Sequence, residues 1–374
     1  MIRGRKDKLW LEINEAEKSV TAFLVTNPKN IFYISGFTGE GILLSTPAKD
    51  FLITDSRYTE QATQEVGTEC QIIIQNMKQV DAQTKSLCEL ISELRIKEIG
   101  FEAESLLVNA FLKYQIQMPQ IKFYPLHNII EKLRMIKDSH EIKLLKKSAY
   151  IATNSFLQTI PSIKNNISEL AIAAQLNYNM RKNGAAKEAF DLIVTSGERG
   201  VLIHGGPSIK KIAEGELIII DFGCIFKMYN SDCTRTFVLG NTGSEQKKIF
   251  KIIQDVQLAT LQQVGPGKSC CELDEFARKK IERRGYGDYF GHSLGHGVGL
   301  DIHELPRLGA NDKTILQPGM VVTIEPGIYI PGIGGVRIED TVLITEKSCQ
   351  LLTSLPKELS LNDYQDNYVD EIII

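Results

Sequence analysis

The 374-residue chain lacks the features that mark several protein classes. Its 43 basic residues nearly balance 46 acidic ones, so charge gives no reason to expect nucleic acid or membrane as a partner. No segment approaches the roughly 20 apolar residues that span a bilayer, and the first residues lack the apolar run of a signal peptide. The seven cysteines show no CxxC spacing, which indicates neither a zinc ribbon nor a disulfide framework. We therefore expect a cytoplasmic protein with reduced thiols.

Length and pattern predict two domains. Residues 15–125 alternate short apolar runs with amphipathic segments, which indicates an α/β domain. The predicted strands are residues 22–25, 31–34, 42–44, 51–53 and 71–74, and the predicted helices are residues 79–94 and 104–115. A long amphipathic helix over residues 138–158, with Asp138 or Ser139 as its N-cap, opens the second domain. We place the domains at residues 1–130 and 138–357, and expect the acidic tail, residues 362–374, to be loosely attached or to contact a partner subunit.

A faint internal repeat with an offset of about 100 residues runs through the second domain. In one copy a helix ends near Pro161 and the next closes at Gly184. In the other copy the corresponding positions are Pro266 and Gly285. Two such helix-pair-plus-strand units, related by a pseudo-twofold axis, would make a curved antiparallel sheet backed by helices. An active site could then lie between the halves.

Four acidic residues lie where strands are predicted. Asp221 ends an apolar, β-rich run and Asp232 follows a turn, so a hairpin would place both on adjacent strands. Two carboxylates there repel each other unless a cation lies between them. Glu325 and Glu339 each lie within an apolar strand pattern, where a buried carboxylate needs a compensating charge.

Three histidines, His292, His296 and His303, fall within twelve residues of a glycine-rich segment. One is expected to bind metal and the others to act in acid/base chemistry or charge stabilisation. Four carboxylates carry too much charge for one divalent ion, so the set predicts two ions about 3.5–4 Å apart. Oxygen-rich ligands without thiolate favour Mn²⁺ or Fe²⁺, with Zn²⁺ and Co²⁺ as other possible occupants.

The order of these residues resembles that of the pita-bread metallopeptidases. The matching positions are Asp221, Asp232 eleven residues later, His296, Glu325 and Glu339. Further motifs are similar to the proline-specific branch, which includes aminopeptidase P and prolidase. They are the run 190–197, His204 with the Gly-Gly-Pro after it, His292 and His303 on either side of His296, and Arg337 two residues before Glu339. The runs 33–39 and 54–58 resemble the creatinase-type N-terminal domain of short bacterial aminopeptidase P proteins.

The resemblance implies an α/β fold in which a creatinase-type N-terminal domain precedes a pseudo-twofold α+β pita-bread domain. It implies that Asp221 chelates one metal ion, that His296 and Glu325 bind the other, and that Asp232 and Glu339 bridge both. A hydroxide held between the ions would be the nucleophile, with Glu325 as acceptor of its proton. His292 and His303 would steady the tetrahedral intermediate and protonate the leaving nitrogen. His204 would line the substrate-binding face, and Arg337 would orient the ligands.

We predict an Xaa-Pro aminopeptidase that releases the first residue from peptides with proline second. Two divalent ions per subunit, Mn²⁺ foremost, and a homodimer are part of this prediction. Prolidase, which cleaves only Xaa-Pro dipeptides, uses the same ligands and stays open as the alternative. A metal-free creatine-type amidinohydrolase would lack the ligand set, and a non-catalytic pita-bread binding module would have lost ligands that this chain retains.

Overall fold

The computed structural model describes residues 4–68, 70–75 and 81–366. The chain forms two compact units, Met1–Arg134 and Met135–Ile374, and each contains buried apolar clusters of its own. The domain limits predicted from the sequence, 1–130 and 138–357, remain a prediction. Within the described ranges, no helix combines the length and the apolar character that crossing a membrane requires. All seven cysteines are free thiols.

The first unit is built on a six-stranded mixed sheet with the strand order β4-β3-β2-β1-β5-β6. Its strands are β1 (Ala22–Val25), β2 (Gly41–Ser45), β3 (Asp50–Asp55), β4 (Cys70–Gln75), β5 (Glu98–Glu102) and β6 (Lys122–Leu126). Strand β2 pairs antiparallel with β1 and β3, and the remaining pairs are parallel. The helices are α1 (Arg5–Ala16), α2 (Pro28–Ser35), α3 (Thr59–Glu65), α4 (Ala82–Glu93), α5 (Val108–Gln117) and α6 (Ile129–Met135).

One predicted strand of this unit is wrong. Residues 31–34 lie in α2, where Pro28 occupies the first turn and the Asn27 side chain accepts a hydrogen bond from the Lys29 N–H. Gly36, at a φ of 81°, ends the helix. The other four predicted strands are confirmed. The two predicted helices correspond to α4 and α5, while residues 79–80 of the first prediction lie outside the described residues.

The second unit contains a helix pair followed by strands, twice over. The first half consists of α7 (Ser139–Thr159), α8 (Glu169–Lys182), β7 (Lys187–Glu188), β8 (Ile193–Ser196), β9 (Leu217–Phe222), β10 (Cys224–Phe226), β11 (Tyr229–Asn230) and β12 (Cys233–Val238). The second half consists of α9 (Ser244–Leu261), α10 (Cys270–Glu282), β13 (Gly295–Gly297), β14 (Glu304–Leu308), β15 (Val321–Ile324), β16 (Gly327–Ile330), β17 (Gly334–Arg337), β18 (Asp340–Ile344) and β19 (Cys349–Leu351). A short helix, α11 (Asn362–Asp366), follows.

The two halves share their helix signals. Ser168 caps α8 and Ser269 caps α10, each through its side-chain oxygen. Gly184 and Gly285 follow the same two helices with φ angles of 101° and 84°. That region of φ strongly favours glycine, so these glycines allow the chain to turn back after each helix. These equivalences support the internal repeat.

Two antiparallel sheets position the candidate site. One has the order β12-β9-β8 and the other the order β14-β13-β15-β18-β19. Buried residues of α7 and α8 pack on the first sheet, and those of α9 and α10 pack on the second. Because side chains alternate along a strand, the face of each sheet that is turned away from its helices can carry polar groups.

The acidic tail begins with an anchored segment. Tyr364 in α11 is buried, and its ring contacts those of Phe156 and Phe237. The prediction of a loosely attached tail is therefore wrong at Tyr364. Burying this aromatic ring stabilises the attachment of the segment, although the residues around it are acidic. Residues 367–374 lie outside the described residues.

Candidate metal centre

The two aspartates come from adjacent antiparallel strands. Asp221 lies in β9 opposite Thr234 of β12, and Asp232 directly precedes β12. Thr234 is thus the cross-strand partner of Asp221, and Asp232 comes two residues before Thr234 in the chain. The residues between the two strands do not form a simple turn, because they fold as the separate hairpin β10–β11.

The other three candidate ligands come from the second half. His296 is the central residue of β13, Glu325 directly follows β15, and Glu339 lies between β17 and β18. One ligand atom each of Asp232, His296 and Glu339 lie within 4.8 Å of one another. The His296 Nε2 atom is 3.3 Å from Glu325 Oε1 and 3.5 Å from Asp232 Oδ2. Four of the five predicted ligands therefore converge directly.

Asp221 joins this group through Arg337. The Arg337 Nη2 atom donates to Asp221 Oδ2 at 2.7 Å, and its Nε atom donates to Thr234 Oγ1 at 3.1 Å. Thr234 in turn donates to Glu339 Oε2 at 2.6 Å. Arg337 is almost fully buried, so its charge acts on the carboxylates in a medium of low dielectric constant. This placement fits the predicted orienting role of Arg337, which stays a prediction.

The hydrogen bonds of His296 leave one ring nitrogen available for a metal ion. Its Nδ1 atom is 3.1 Å from the Gly297 carbonyl oxygen, which can only accept, so Nδ1 carries the proton. Nε2 faces Asp232 and Glu325, and the hydrogen bond and charge of Glu325 raise the pKa of His296 although burial opposes this. Without a cation Nε2 therefore favours a proton, which a metal ion would replace. Thr323 accepts from the His296 backbone N–H at 3.0 Å and donates to Glu325 Oε1 at 3.0 Å, which holds these two ligands together.

The carboxylates strongly disfavour being charged together without a cation. Burial, followed by the charges of Glu339, Asp221 and Glu325, raises the pKa of Asp232 well above its usual range. Burial and the charges of Glu325 and Asp221 do the same to the pKa of Glu339. Burial also raises the pKa of Glu325, but the hydrogen bond and charge of His296 outweigh it and bring that pKa to about 2.

Two carboxylate oxygens of this group lack a donor. Asp221 Oδ1 and Glu339 Oε1 are buried, and neither has a hydrogen-bond partner. A buried acceptor without a partner is unfavourable, and divalent cations coordinate such oxygens readily. The donor set, the clustered charge and these two oxygens therefore fit a dinuclear metal site.

The flanking histidines lie at different depths. The His303 ring contacts the His296 ring edge to face, with 4.3 Å between centroids. His303 is exposed, and partial burial of its ring lowers its pKa, as does the charge of His296. Burial likewise lowers the pKa of His292. His204 is exposed, and in the described part of the chain no hydrogen bond or ion pair joins it to the ligands.

Sequence reasoning missed Tyr329. Its hydroxyl oxygen accepts from Arg337 Nη1 at 2.8 Å and lies 3.0 Å from His292 Nε2. His292 Nδ1 faces the Ser293 carbonyl oxygen at 2.8 Å, so Nε2 accepts the hydroxyl proton. Burial raises the pKa of Tyr329 to about 12, which keeps that proton in place near neutral pH. Tyr329 thus links His292 to Arg337 and the ligands, and only its position in the strand after Glu325 could have pointed to it.

Comparisons with known proteins agree with this geometry. The family model of metallopeptidase family M24 matches residues 143–346, and that of the creatinase/prolidase N-terminal domain matches residues 11–136. An Xaa-Pro dipeptidase of Pyrococcus horikoshii is 40% identical over 96% of this chain and 99% of its own length.

Two solved structures are also similar. A structure of an Xaa-Pro dipeptidase from Bacillus anthracis has a TM-score of 0.92 and 38% identity, over 96% of this chain and 99% of that one. A structure of an X-Pro aminopeptidase from Thermotoga maritima has a TM-score of 0.84 and 37% identity, over 92% and 99% respectively. These matches confirm the predicted fold class, a creatinase-type α/β domain followed by a pita-bread domain.

Proposed function

The chain belongs to metallopeptidase family M24, with a creatinase/prolidase N-terminal domain ahead of its catalytic domain, and we propose that it is an Xaa-Pro dipeptidase, a prolidase. The Pyrococcus horikoshii and Bacillus anthracis dipeptidases both match it over nearly their whole length. The Xaa-Pro aminopeptidase favoured by the sequence alone has less support. It remains the second candidate because the Thermotoga maritima aminopeptidase is also similar.

The observation that carries the metallopeptidase part of the proposal is the convergence of the candidate ligands, and the preference for a dipeptidase rests on the two relatives named above. Asp221, Asp232, His296, Glu325 and Glu339 would hold two divalent cations, and the oxygen-rich set favours Mn²⁺. When bound, such cations activate water as a nucleophile and polarise the scissile carbonyl.

The chain's own groups can move the protons of the reaction. Glu325 lies beside His296, with its Oε1 atom 3.3 Å from His296 Nε2, and its carboxylate can accept a proton from the attacking water. His292 and His303 are favoured in their neutral forms, and His292 is fixed in one tautomer by Ser293 and Tyr329. The resemblance assigns both to stabilising the tetrahedral intermediate, and the neutral His303 ring has an N–H that it can donate to the developing charge. The proline nitrogen, which as a tertiary amide carries no proton, needs one to leave, and Glu325 can pass on the proton that it took from the attacking water.

Arg307 offers a basis for selecting a dipeptide. It lies directly opposite His296 on the neighbouring strand β14, and its side chain is exposed. Its Nε atom donates to Ser293 Oγ at 2.9 Å, while its terminal nitrogens make no hydrogen bond or ion pair within the described residues. A cation beside the ligands can bind the free carboxylate of an Xaa-Pro dipeptide. In a longer peptide the proline carboxyl group is part of a peptide bond, so it carries no charge for Arg307 to bind.

The test compares a dipeptide with a tripeptide. The protein is loaded with Mn²⁺ and assayed on Ala-Pro and on Ala-Pro-Ala, with an EDTA-treated sample as control. We expect hydrolysis of the dipeptide, at least about 100-fold lower kcat/KM on the tripeptide, and loss of activity after chelation. Equal or faster cleavage of the tripeptide would establish the aminopeptidase instead. If Mn²⁺, Zn²⁺, Co²⁺ and Fe²⁺ all give no activity, the peptidase proposal is wrong.

Substitution of Arg307 tests whether this residue causes a preference for dipeptides over tripeptides. Arg307→Gln should lower kcat/KM for Ala-Pro by about 10- to 100-fold, because a hydrogen bond between charged groups is lost. Hydrolysis of any tripeptide that is cleaved should change little. Arg284→Gln removes another exposed cation, whose ion pair with Asp255 is long at 3.8 Å, and serves as the matched control. An unchanged kcat/KM in Arg307→Gln would remove this basis for dipeptide preference.

We also propose that the protein is a cytoplasmic homodimer, as the family resemblance implies. Its seven free thiols are compatible with a reducing compartment. Light scattering coupled to size exclusion should give about twice the chain mass of 41.9 kDa. A mass of one chain at micromolar concentration would contradict the dimer.

A further inference from the structure

A buried carboxylate outside the ligand set holds the segment that carries His204. Glu169 is the first residue of α8, and its side chain is fully buried. One of its oxygens, Oε1, accepts from the Ser196 backbone N–H at 2.8 Å and from the Ser196 hydroxyl at 2.9 Å. The other, Oε2, accepts from Arg199 Nε at 3.0 Å and from the Ser208 hydroxyl at 2.7 Å and backbone N–H at 3.2 Å.

These bonds close a loop. Ser196 ends β8, and Ser208 lies twelve positions later, so a single carboxylate binds both ends of the segment 196–208, here called the His204 loop. Arg199 reinforces it from within, because its Nη2 atom donates to the Gly206 carbonyl oxygen at 2.7 Å. Lys210 Nζ adds a bond of 2.9 Å to Ser196 Oγ.

The loop also packs on the strand that leads to Arg337. Gly200 in the loop and Gly335 in β17 approach so closely that a Cβ atom on either would collide with the backbone of the other. Arg337, at the end of β17, binds Asp221. A loop seated here therefore has a defined position relative to the ligand set, and His204 projects from it as an exposed side chain.

We infer that Glu169 is a positioning residue, which fixes the His204 loop so that His204 meets the substrate in one place. This inference rests on the proposed function for its consequence in catalysis. In the described part of the chain, Glu169 makes no hydrogen bond or ion pair with the five candidate metal ligands. Its loss should leave the metal site intact and weaken substrate binding, because the loop must then be ordered at the moment the substrate binds.

Glu169→Gln is the direct test. Glutamine keeps the volume but replaces one oxygen with an NH₂ group, which cannot accept from the donors at one end of the loop. We expect KM for Ala-Pro to rise about tenfold or more while kcat changes less than about threefold. Mn²⁺ affinity, measured by calorimetric titration, should be unchanged.

Two further variants separate positioning from general damage. Glu272→Gln alters a carboxylate in the first turn of α10, the equivalent helix of the second half, where its carboxylate closes the capping box with Ser269. Glutamine can also close that box, so this control should keep wild-type kinetics.

Ser208→Ala removes one hydroxyl donor to Glu169 and is less disruptive should Glu169→Gln fold poorly. In the double variant, the two losses in kcat/KM should be less than additive, since both act through one loop.

Hydrogen exchange gives a readout that needs no substrate. In Glu169→Gln, peptides covering 196–208 should exchange faster than in the wild type, while those covering β9 and β12 should not. If that occurs but the wild type cleaves no proline peptide, the positioning role stands and the proposed function fails. If the wild type is active and Glu169→Gln changes neither KM nor exchange in the loop, the inference is overturned. A fall in kcat together with weaker Mn²⁺ binding would also overturn it.

Discussion

Glu339 shows how single residues trade stability for metal binding. It is almost fully buried, its Oε2 atom accepts from Thr234, and its Oε1 atom has no donor. In Glu339→Gln the side-chain oxygen can still accept the hydrogen bond from Thr234. The NH₂ group then takes the place of Oε1, the oxygen without a donor. We expect the metal-free variant to gain about 1 kcal/mol or more in free energy of unfolding, because one repelling charge is gone. Activity should fall at least about 1,000-fold through the loss of a ligand.

Urea unfolding in EDTA measures the first effect, and kcat with Mn²⁺ measures the second. Glu346→Gln, an exposed carboxylate of the same unit, is the control and should shift stability by less than about 0.5 kcal/mol. If the metal-free Glu339→Gln protein is less stable than the wild type, repulsion among the carboxylates does not control the stability of the metal-free site.

Glu102 should give the first unit a distinct pH dependence. Its oxygens accept from the backbone N–H groups of Thr26 and Asn27, at 2.6 and 2.8 Å, and from Asn30 Nδ2 at 2.6 Å. Burial nevertheless raises its pKa above the usual 4.5. The folded state therefore holds this proton more tightly than the unfolded state does. The resulting stability is present below pH 4.5 and is lost as pH rises through the folded-state pKa.

The measurement compares the wild type with Glu102→Gln, whose amide does not titrate. The free energy of unfolding of the wild type, minus that of the variant, should decrease as the pH rises from about 4 towards 8. Glu93→Gln, an exposed acid in α4, should show no such trend. A difference that stays level or increases with pH would contradict a raised pKa for Glu102.

The helices of the second unit depend on their caps. Ser269 accepts from the Glu272 N–H, while the Glu272 side chain accepts from the Ser269 N–H, and Ser168 accepts from the Ala171 N–H. Ser269→Ala and Ser168→Ala should each lower the free energy of unfolding by about 1 kcal/mol, because a donor of the first turn loses its partner. Ser244→Ala is the control, since its helix has Gly243 as N-cap and no side-chain cap bond. If the free energy of unfolding falls equally in all three variants, the decrease comes from removing any serine and not from losing a helix cap.

These elements also show what the sequence could and could not predict. Asp138 is the N-cap of α7, one of the two candidates that the sequence offers, because capping is a local signal. The apolar run 31–34 predicts a strand, yet the Asn27-Pro28 start and the Gly36 stop make it a helix. The order of the residues in the sequence predicts five candidate ligands, whereas it could not predict their hydrogen bonds. Tyr329 illustrates this limit, since Arg337 approaches it only when β16 and β17 pair, and His292 reaches it from a segment 37 residues away in the sequence.

At the scale of the whole chain, the five candidate ligands come from both halves of the second unit. Asp221 and Asp232 come from the first half, and His296, Glu325 and Glu339 come from the second. Each half has its own helix pair and contributes most of one apolar cluster. Without metal, repulsion among the carboxylates of the two halves destabilises the packing of the halves against each other. A cation bound by residues of both halves would stabilise that packing. Metal binding should therefore stabilise the second unit as a whole.

Hydrogen exchange with and without Mn²⁺ tests this consequence. Ligand binding to the folded state adds about 2.7 kcal/mol at a free concentration 100 times the Kd, and only structure that opens together with the site gains it. We expect protection to increase in β9, β12, β13 and β15, which include or adjoin ligands, and to stay unchanged in β1, β2 and β3 of the first unit. Glu339→Gln should abolish the increase and so confirm its origin. Equal gains in both units would mean that they unfold as one cooperative body, and gains limited to a single half would mean that the ions do not bridge the two.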